Sequence, residues 1–146
     1  MENRKFMERA LEKAKEAFAD GEIPVGAVVV KDGKIIGEGR NRREKSKTAL
    51  AHAEIEALHN ASLTLGDWRL SGCEMFVTLE PCIMCCGAII NARIDCLVFG
   101  AYDEQAGAMI SRAEVAETFG SGIRTVGGYM EKECREVLTS FFRNLR

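Results

Sequence analysis

Two short motifs far apart in the chain constrain its fold more than any other feature. His52-Ala53-Glu54 lies in an alanine-rich stretch, and Pro81-Cys82-Ile83-Met84-Cys85 opens an apolar one. Two cysteines three positions apart at a helix start can aim both sulfurs at one ion. Imidazole and thiolate together suit zinc, which takes them in tetrahedral geometry. His52, Cys82 and Cys85 are therefore the expected metal ligands. A structural zinc would need a fourth protein ligand, whereas three leave a position for water, the arrangement of a catalytic site. The fold must bring both segments to one point.

Glu54 follows His52 by two residues and can face the same cavity. A carboxylate there can take a proton from water and later deliver it to a leaving group, which makes Glu54 the candidate catalytic residue. The expected cofactor is one Zn2+ per chain. Water activated by such an ion, with a proton shuttle beside it, suits attack on an amidine-like carbon and loss of ammonia.

Hydrophobic periodicity places both motifs in an α/β pattern. Phe6, Met7, Ala10, Leu11, Ala14, Ala17 and Phe18 recur at helical spacing, and Asp20-Gly21 ends that helix. Residues 25–30 and 35–37 are apolar runs around Asp32-Gly33, a hairpin signal. A polar loop over 40–47 leads into a helix over about 49–61. Strands over 74–79, 94–99 and 123–126 alternate with helices over 83–91, 111–119 and 131–144, with Gly100 closing the second of these strands. Such alternation predicts a mixed five-stranded sheet, partly parallel, with helices on both faces.

At 146 residues, with 47% hydrophobic and 29% charged residues, the chain is expected to form a single domain over 1–146 with a substantial core. A net charge of −2 excludes a uniformly basic surface, so any nucleic acid must be held by local patches. No apolar run reaches the roughly 20 residues of a membrane span, and the first residues lack the apolar core of a signal peptide. The expectation is a cytoplasmic protein without membrane association, its six cysteines reduced.

His-x-Glu followed by Pro-Cys-x-x-Cys is the signature of zinc nucleobase deaminases. The resemblance extends over nearly the whole chain. Gly21-Glu22-Ile23-Pro24-Val25-Gly26-Ala27-Val28, His52-Ala53-Glu54-Ile55, residues 77–85, Phe99-Gly100-Ala101 and Phe141-Phe142-Arg143 resemble bacterial tRNA-specific adenosine deaminases. That resemblance implies a three-layer α/β/α cytidine-deaminase-like fold, a homodimer, and hydrolytic conversion of adenosine to inosine at the wobble position of a tRNA anticodon loop. It also implies that Asn41 binds the base edge, Ala53 donates its backbone N–H to the base and Val25 packs against it. Asp103 would lie near flanking nucleotides, and Phe142 and Arg143 would contact RNA.

Thr48-Ala49-Leu50-Ala51 stands where the family usually has Asp-Pro-Thr-Ala, and Tyr102 replaces a common Arg. The segment after Gly107-Ala108 is slightly shortened. These departures fall on the substrate-facing rim and leave a second substrate class open: a free nucleobase or nucleoside such as guanine, cytosine or a modified purine. A non-catalytic zinc or RNA-binding partner subunit is the reading from another class, and the presence of Glu54 weighs against it. Other residues have plain readings. Cys86 packs in the core, His59 is an ordinary surface or partly buried histidine, and Trp68 packs on a loop. The basic 40–47 stretch is either a solvated connection or a phosphate-binding rim. Phe141 and Phe142 are either core or base-stacking, and Arg143 and Arg146 suit the negative end of a helix dipole.

Overall fold

The computed structural model describes residues 2–145, so Arg146 lies outside the described residues. The elements are α1 (Glu2–Ala19), β1 (Gly26–Lys31), β2 (Lys34–Arg40), α2 (Arg43–Ser46), α3 (Ala53–Leu65), β3 (Cys73–Leu79), α4 (Ile83–Asn91), β4 (Cys96–Ala101), α5 (Val115–Thr118), β5 (Arg124–Val126) and α6 (Glu131–Asn144). The five strands form one mixed sheet in the order β2-β1-β3-β4-β5. β1 is antiparallel to both neighbours, whereas β3, β4 and β5 run parallel. Asp32 and Gly33 both take positive φ, which is the hairpin turn that their sequence implies.

Side chains alternate across the sheet and split the core in two. Ala27, Val29, Met75, Val77, Leu97 and Phe99 face α3, α4 and α5 with Ala57, Leu58, Cys86 and Ile89. Val28, Val30, Phe76, Cys96 and Val98 face α1 and α6 with Phe6, Met7, Leu11 and Leu138. The result is the expected three-layer α/β/α arrangement, and no helix of the described residues is long and apolar enough to cross a membrane.

Of the boundaries that differ from the sequence expectation, four have a tertiary reason. The helix expected from about 49 begins at Ala53. Thr48 and Ala51 close a turn, and the Ala51 carbonyl accepts from Arg42 N, so good helix formers are held outside the helix. The 40–47 stretch is not simply a loop: Arg40 ends β2, and residues 43–46 form one helical turn. Gly100 lies inside β4 rather than closing it, since a Cβ there would stand 2.3 Å from Cys134 Sγ of α6. The helix expected over 111–119 shrinks to Val115–Thr118, because Ile110 N and Ser111 N are drawn to Glu80.

Gly37 and Gly39 let α3 lie directly on β2. A Cβ on Gly39 would come within 2.2 Å of the Ala53 carbonyl and 2.6 Å of Ala57 N. Gly39→Ala should therefore displace the first turn of α3 and cost roughly 2 kcal/mol or more, in the range of core overpacking. Urea denaturation of the zinc-loaded protein measures the loss. A measured zinc affinity should fall with it, since His52 adjoins the displaced turn.

Candidate active site

His52 and Cys82 occupy equivalent places in the fold. Each is the N-cap of a helix, with extended backbone, and neither uses its side chain as a cap. Their ligand atoms are free to turn toward one another across the gap between α3 and α4. His52 Nδ1 lies 3.7 Å from Cys82 Sγ and 3.6 Å from Cys85 Sγ. Nitrogen and sulfur bound to one tetrahedral zinc at their usual bond lengths stand roughly 3.6 Å apart. The three side chains fit the ion. All three ligand atoms lie within 4.8 Å of one another, and among the described residues this is the one such metal-holding group. The donor set is closed at three, because the nearby Cys86 turns its thiol to the Pro81 carbonyl instead. His59 is exposed on α3 and takes no part.

The protonation pattern in the metal-free protein suits this role. The Cys85 thiol shares its proton with the Cys82 sulfur, and with the His52 ring this holds Cys82 down at about 3 against the opposing effect of burial. The same sharing, together with burial, pushes Cys85 up. Hydrogen bonding to Cys82 raises His52. Metal binding releases the remaining thiol proton, and the N-terminal ends of α3 and α4 favour the resulting negative charge.

Glu54 is 4% exposed, in the first turn of α3. Burial pushes its carboxyl up to about 7, with the Cys82 charge adding to the effect. A carboxyl poised there can both accept and return a proton near neutral pH. It faces a pocket of about 390 Å³ that is also lined by His52, Cys82, Val25, Asn41, Ala53 and Asp103. The pocket thus gathers every residue that the family resemblance assigned to the base. Asn41 is held with its amide donating to the Ile23 carbonyl (3.2 Å) and its oxygen accepting from Arg43 N (3.1 Å).

Phe142 and Arg143 are not in this pocket. They line an adjoining groove of about 670 Å³ beside α6, which shares Ile23, Leu79, Asp103 and Gln105 with it. The two phenylalanines divide: Phe141 is 7% exposed and packs edge-on to Phe18, while Phe142 is 48% exposed. The basic stretch is mostly structural. Arg40 is buried on Asp20 and the Glu16 carbonyl, and Arg42 pairs with Glu56 at 2.6 Å. Of its arginines only Arg43 reaches the pocket. Trp68 lies between Arg69 and Arg93 in cation–π contact.

Sequence reasoning missed two acids at the site. Glu80 accepts from Asp103 N, Ile110 N, Ser111 N and the Ser111 hydroxyl; burial opposes its ionisation, but these bonds outweigh it and hold its carboxyl low. Glu22 accepts from Glu44 N and Lys45 N. Both lie within quoted motifs, yet no spacing rule marks a carboxylate that serves backbone N–H groups distant in sequence.

The family model for the cytidine and deoxycytidylate deaminase zinc-binding region matches residues 1–101. The chain belongs to that zinc-dependent deaminase family, as a hydrolytic enzyme, and His52, Cys82 and Cys85 are the residues that fit the zinc. It is 41% identical over 143 residues to the tRNA-specific adenosine deaminase of Bacillus subtilis, covering 97% of this chain and 89% of that one. A solved structure from work on A-to-I editing by tRNA:A34 deaminases at the wobble position is 40% identical. It superposes with a TM-score of 0.89 over 92% of this chain and 99% of its own. The guanine deaminase of Nitrosomonas europaea is 28% identical, with a TM-score of 0.81 over 93% of this chain and 82% of that one.

Elemental analysis of purified protein should find about one zinc per chain, and Cys82→Ala should abolish it, because two remaining ligands hold zinc poorly. Chelation should lower the melting temperature of the native protein and leave that of Cys82→Ala unchanged. A wild-type melting curve indifferent to chelator would contradict the assignment.

Proposed function

We propose that this chain deaminates adenosine to inosine in tRNA, at the wobble position of an anticodon loop, with Glu54 as proton shuttle. The continuity of the zinc pocket with the groove along α6 carries the choice of RNA over a free base. A free base would fill the pocket alone, whereas a nucleotide inside a strand needs room for its neighbours. Phe142, Arg135 and Arg143 on that groove offer an aromatic face and two cations to flanking nucleotides. Full-length identity near 40% to tRNA-specific adenosine deaminases supports the same reading.

The target base has to leave its stack to enter so small a pocket. Val25 packs on the inserted ring, Asn41 meets its edge, and the Ala53 backbone N–H donates to it. When bound, zinc supplies Lewis-acid activation of the attacking water near neutral pH. Glu54 takes one proton from the attacking water and delivers it to the ring nitrogen as the oxygen bonds to the amino-bearing carbon; it then carries the second proton of that oxygen to the amino group, and the C–N bond breaks to release ammonia. Its burial keeps bulk water from competing for that proton.

The likeness to a guanine deaminase favours a second reading, a free purine as substrate. Incubating zinc-loaded enzyme with anticodon stem-loops carrying adenosine at the wobble position, beside free guanine, adenine and adenosine, separates the two. Inosine in the stem-loops is expected; ammonia from free bases alone would transfer the assignment to the second reading. Glu54→Ala should lose at least about a thousandfold in turnover while retaining its zinc, near the upper range for general acid–base catalysis.

We further infer a homodimer. Ile83, 71% exposed beside Cys82, together with exposed Leu50, two residues before His52, and exposed Ile110 offers apolar surface that a second copy can cover. Light scattering should give twice the chain mass, and Ile83→Asp should shift it toward the monomer.

A further inference from the structure

Glu22 and Glu80 are each 2% exposed, and the chemistry above does not use them. A buried carboxylate is costly unless its oxygens are fully engaged. Their partners among the described residues are backbone N–H groups and one hydroxyl. Glu22 accepts from Glu44 N at 3.0 Å and Lys45 N at 2.7 Å. Glu80 accepts from Asp103 N at 3.1 Å, from Ile110 N and Ser111 N at 2.8 Å each, and from the Ser111 hydroxyl.

The anchored segments are the two walls of the zinc pocket. Glu22 holds the turn after Asn41, which brings Asn41 and Arg43 to one side. Glu80 holds residues 103–111, which bring Asp103, Gln105 and Ala106 to the other. Gly107 shows how closely that second wall is seated: a Cβ there would stand 2.3 Å from the Glu80 carboxyl carbon. Glu80 also lies two residues before Cys82, so one short stretch of backbone supplies a metal ligand and anchors the facing loop.

We propose that Glu22 and Glu80 are positioning residues, a pair of buried carboxylate clamps that set the pocket walls at the separation needed to grip an extruded base. They act on substrate capture and leave the proton transfers to Glu54. This inference rests on the RNA reading above. A clamp of this kind acts on binding before the chemical step, so its loss raises KM and spares kcat.

Glu80→Gln keeps the shape but turns an amide NH2 toward an N–H donor. In zinc-loaded full-length enzyme with an anticodon stem-loop, KM should rise at least about tenfold, with kcat within about threefold and zinc content unchanged. Hydrogen exchange of the Ile110 and Ser111 amides should quicken while the β3–β4 ladder stays protected. Glu22→Gln should do the same at Glu44 and Lys45. Ser111→Ala removes one donor and leaves the carboxylate; it should raise KM in the same direction by less, and it decides the matter if Glu80→Gln does not fold. An unchanged KM in the variants that fold overturns the clamps. So does a fall in kcat with loss of zinc, which would make the carboxylates supports of the metal site. Wild-type enzyme inactive on every stem-loop would instead strike at the RNA reading, and the exchange rates would still report whether the carboxylates hold these loops.

Discussion

His52 and Cys82 each stand immediately before a helix, and α3 and α4 pack on the same face of the sheet so that these two positions meet. The 3.6–3.7 Å separations of Nδ1 from the two sulfurs depend on that packing. Gly37 and Gly39 make it possible by letting backbone touch backbone between β2 and α3. The two helix N-termini then point positive ends at a site that gathers two thiolates and a carboxylate. Their field, with a cation held by the three ligands, would offset a concentration of negative charge that a buried site otherwise expels.

Chemistry and selectivity occupy different layers of the site. At its base, Glu54 owes its raised carboxyl to burial, and the ligands owe their geometry to helix starts. Around it, the walls come from loops: residues 41–43 on one side and 103–106 on the other. Proteins named for guanine and for adenosine in tRNA share this fold with the chain. The groove along α6 adjoins these walls, with Phe142 and Arg143 lying outside the pocket proper.

Much of the fold was legible because it obeys short-range rules. Periodicity found α1, α4 and α6, and Asp32-Gly33 fixed the hairpin through its positive φ values. The failures share one cause: a distant group won over a local preference. Arg42 drew the Ala51 carbonyl out of α3, Glu80 drew Ile110 N and Ser111 N out of a longer α5, and Cys134 needed the space left by Gly100 inside β4. The basic stretch misled in the same way, since Arg40 and Arg42 read as free charges until Asp20 and Glu56 were found opposite them.

The amino-acid order alone determined the reacting groups. A histidine, a glutamate two residues on and a Pro-Cys-x-x-Cys helix start mark a metal site and the proton carrier proposed beside it, because ligand chemistry and helix geometry are local properties. Tertiary structure alone decided which face of each residue counts. It separated buried Phe141 from exposed Phe142, tied two arginines inward, and set Glu22 and Glu80 to hold the walls. Those outcomes depend on contacts between residues fourteen or more positions apart, and no pattern within a single segment encodes them.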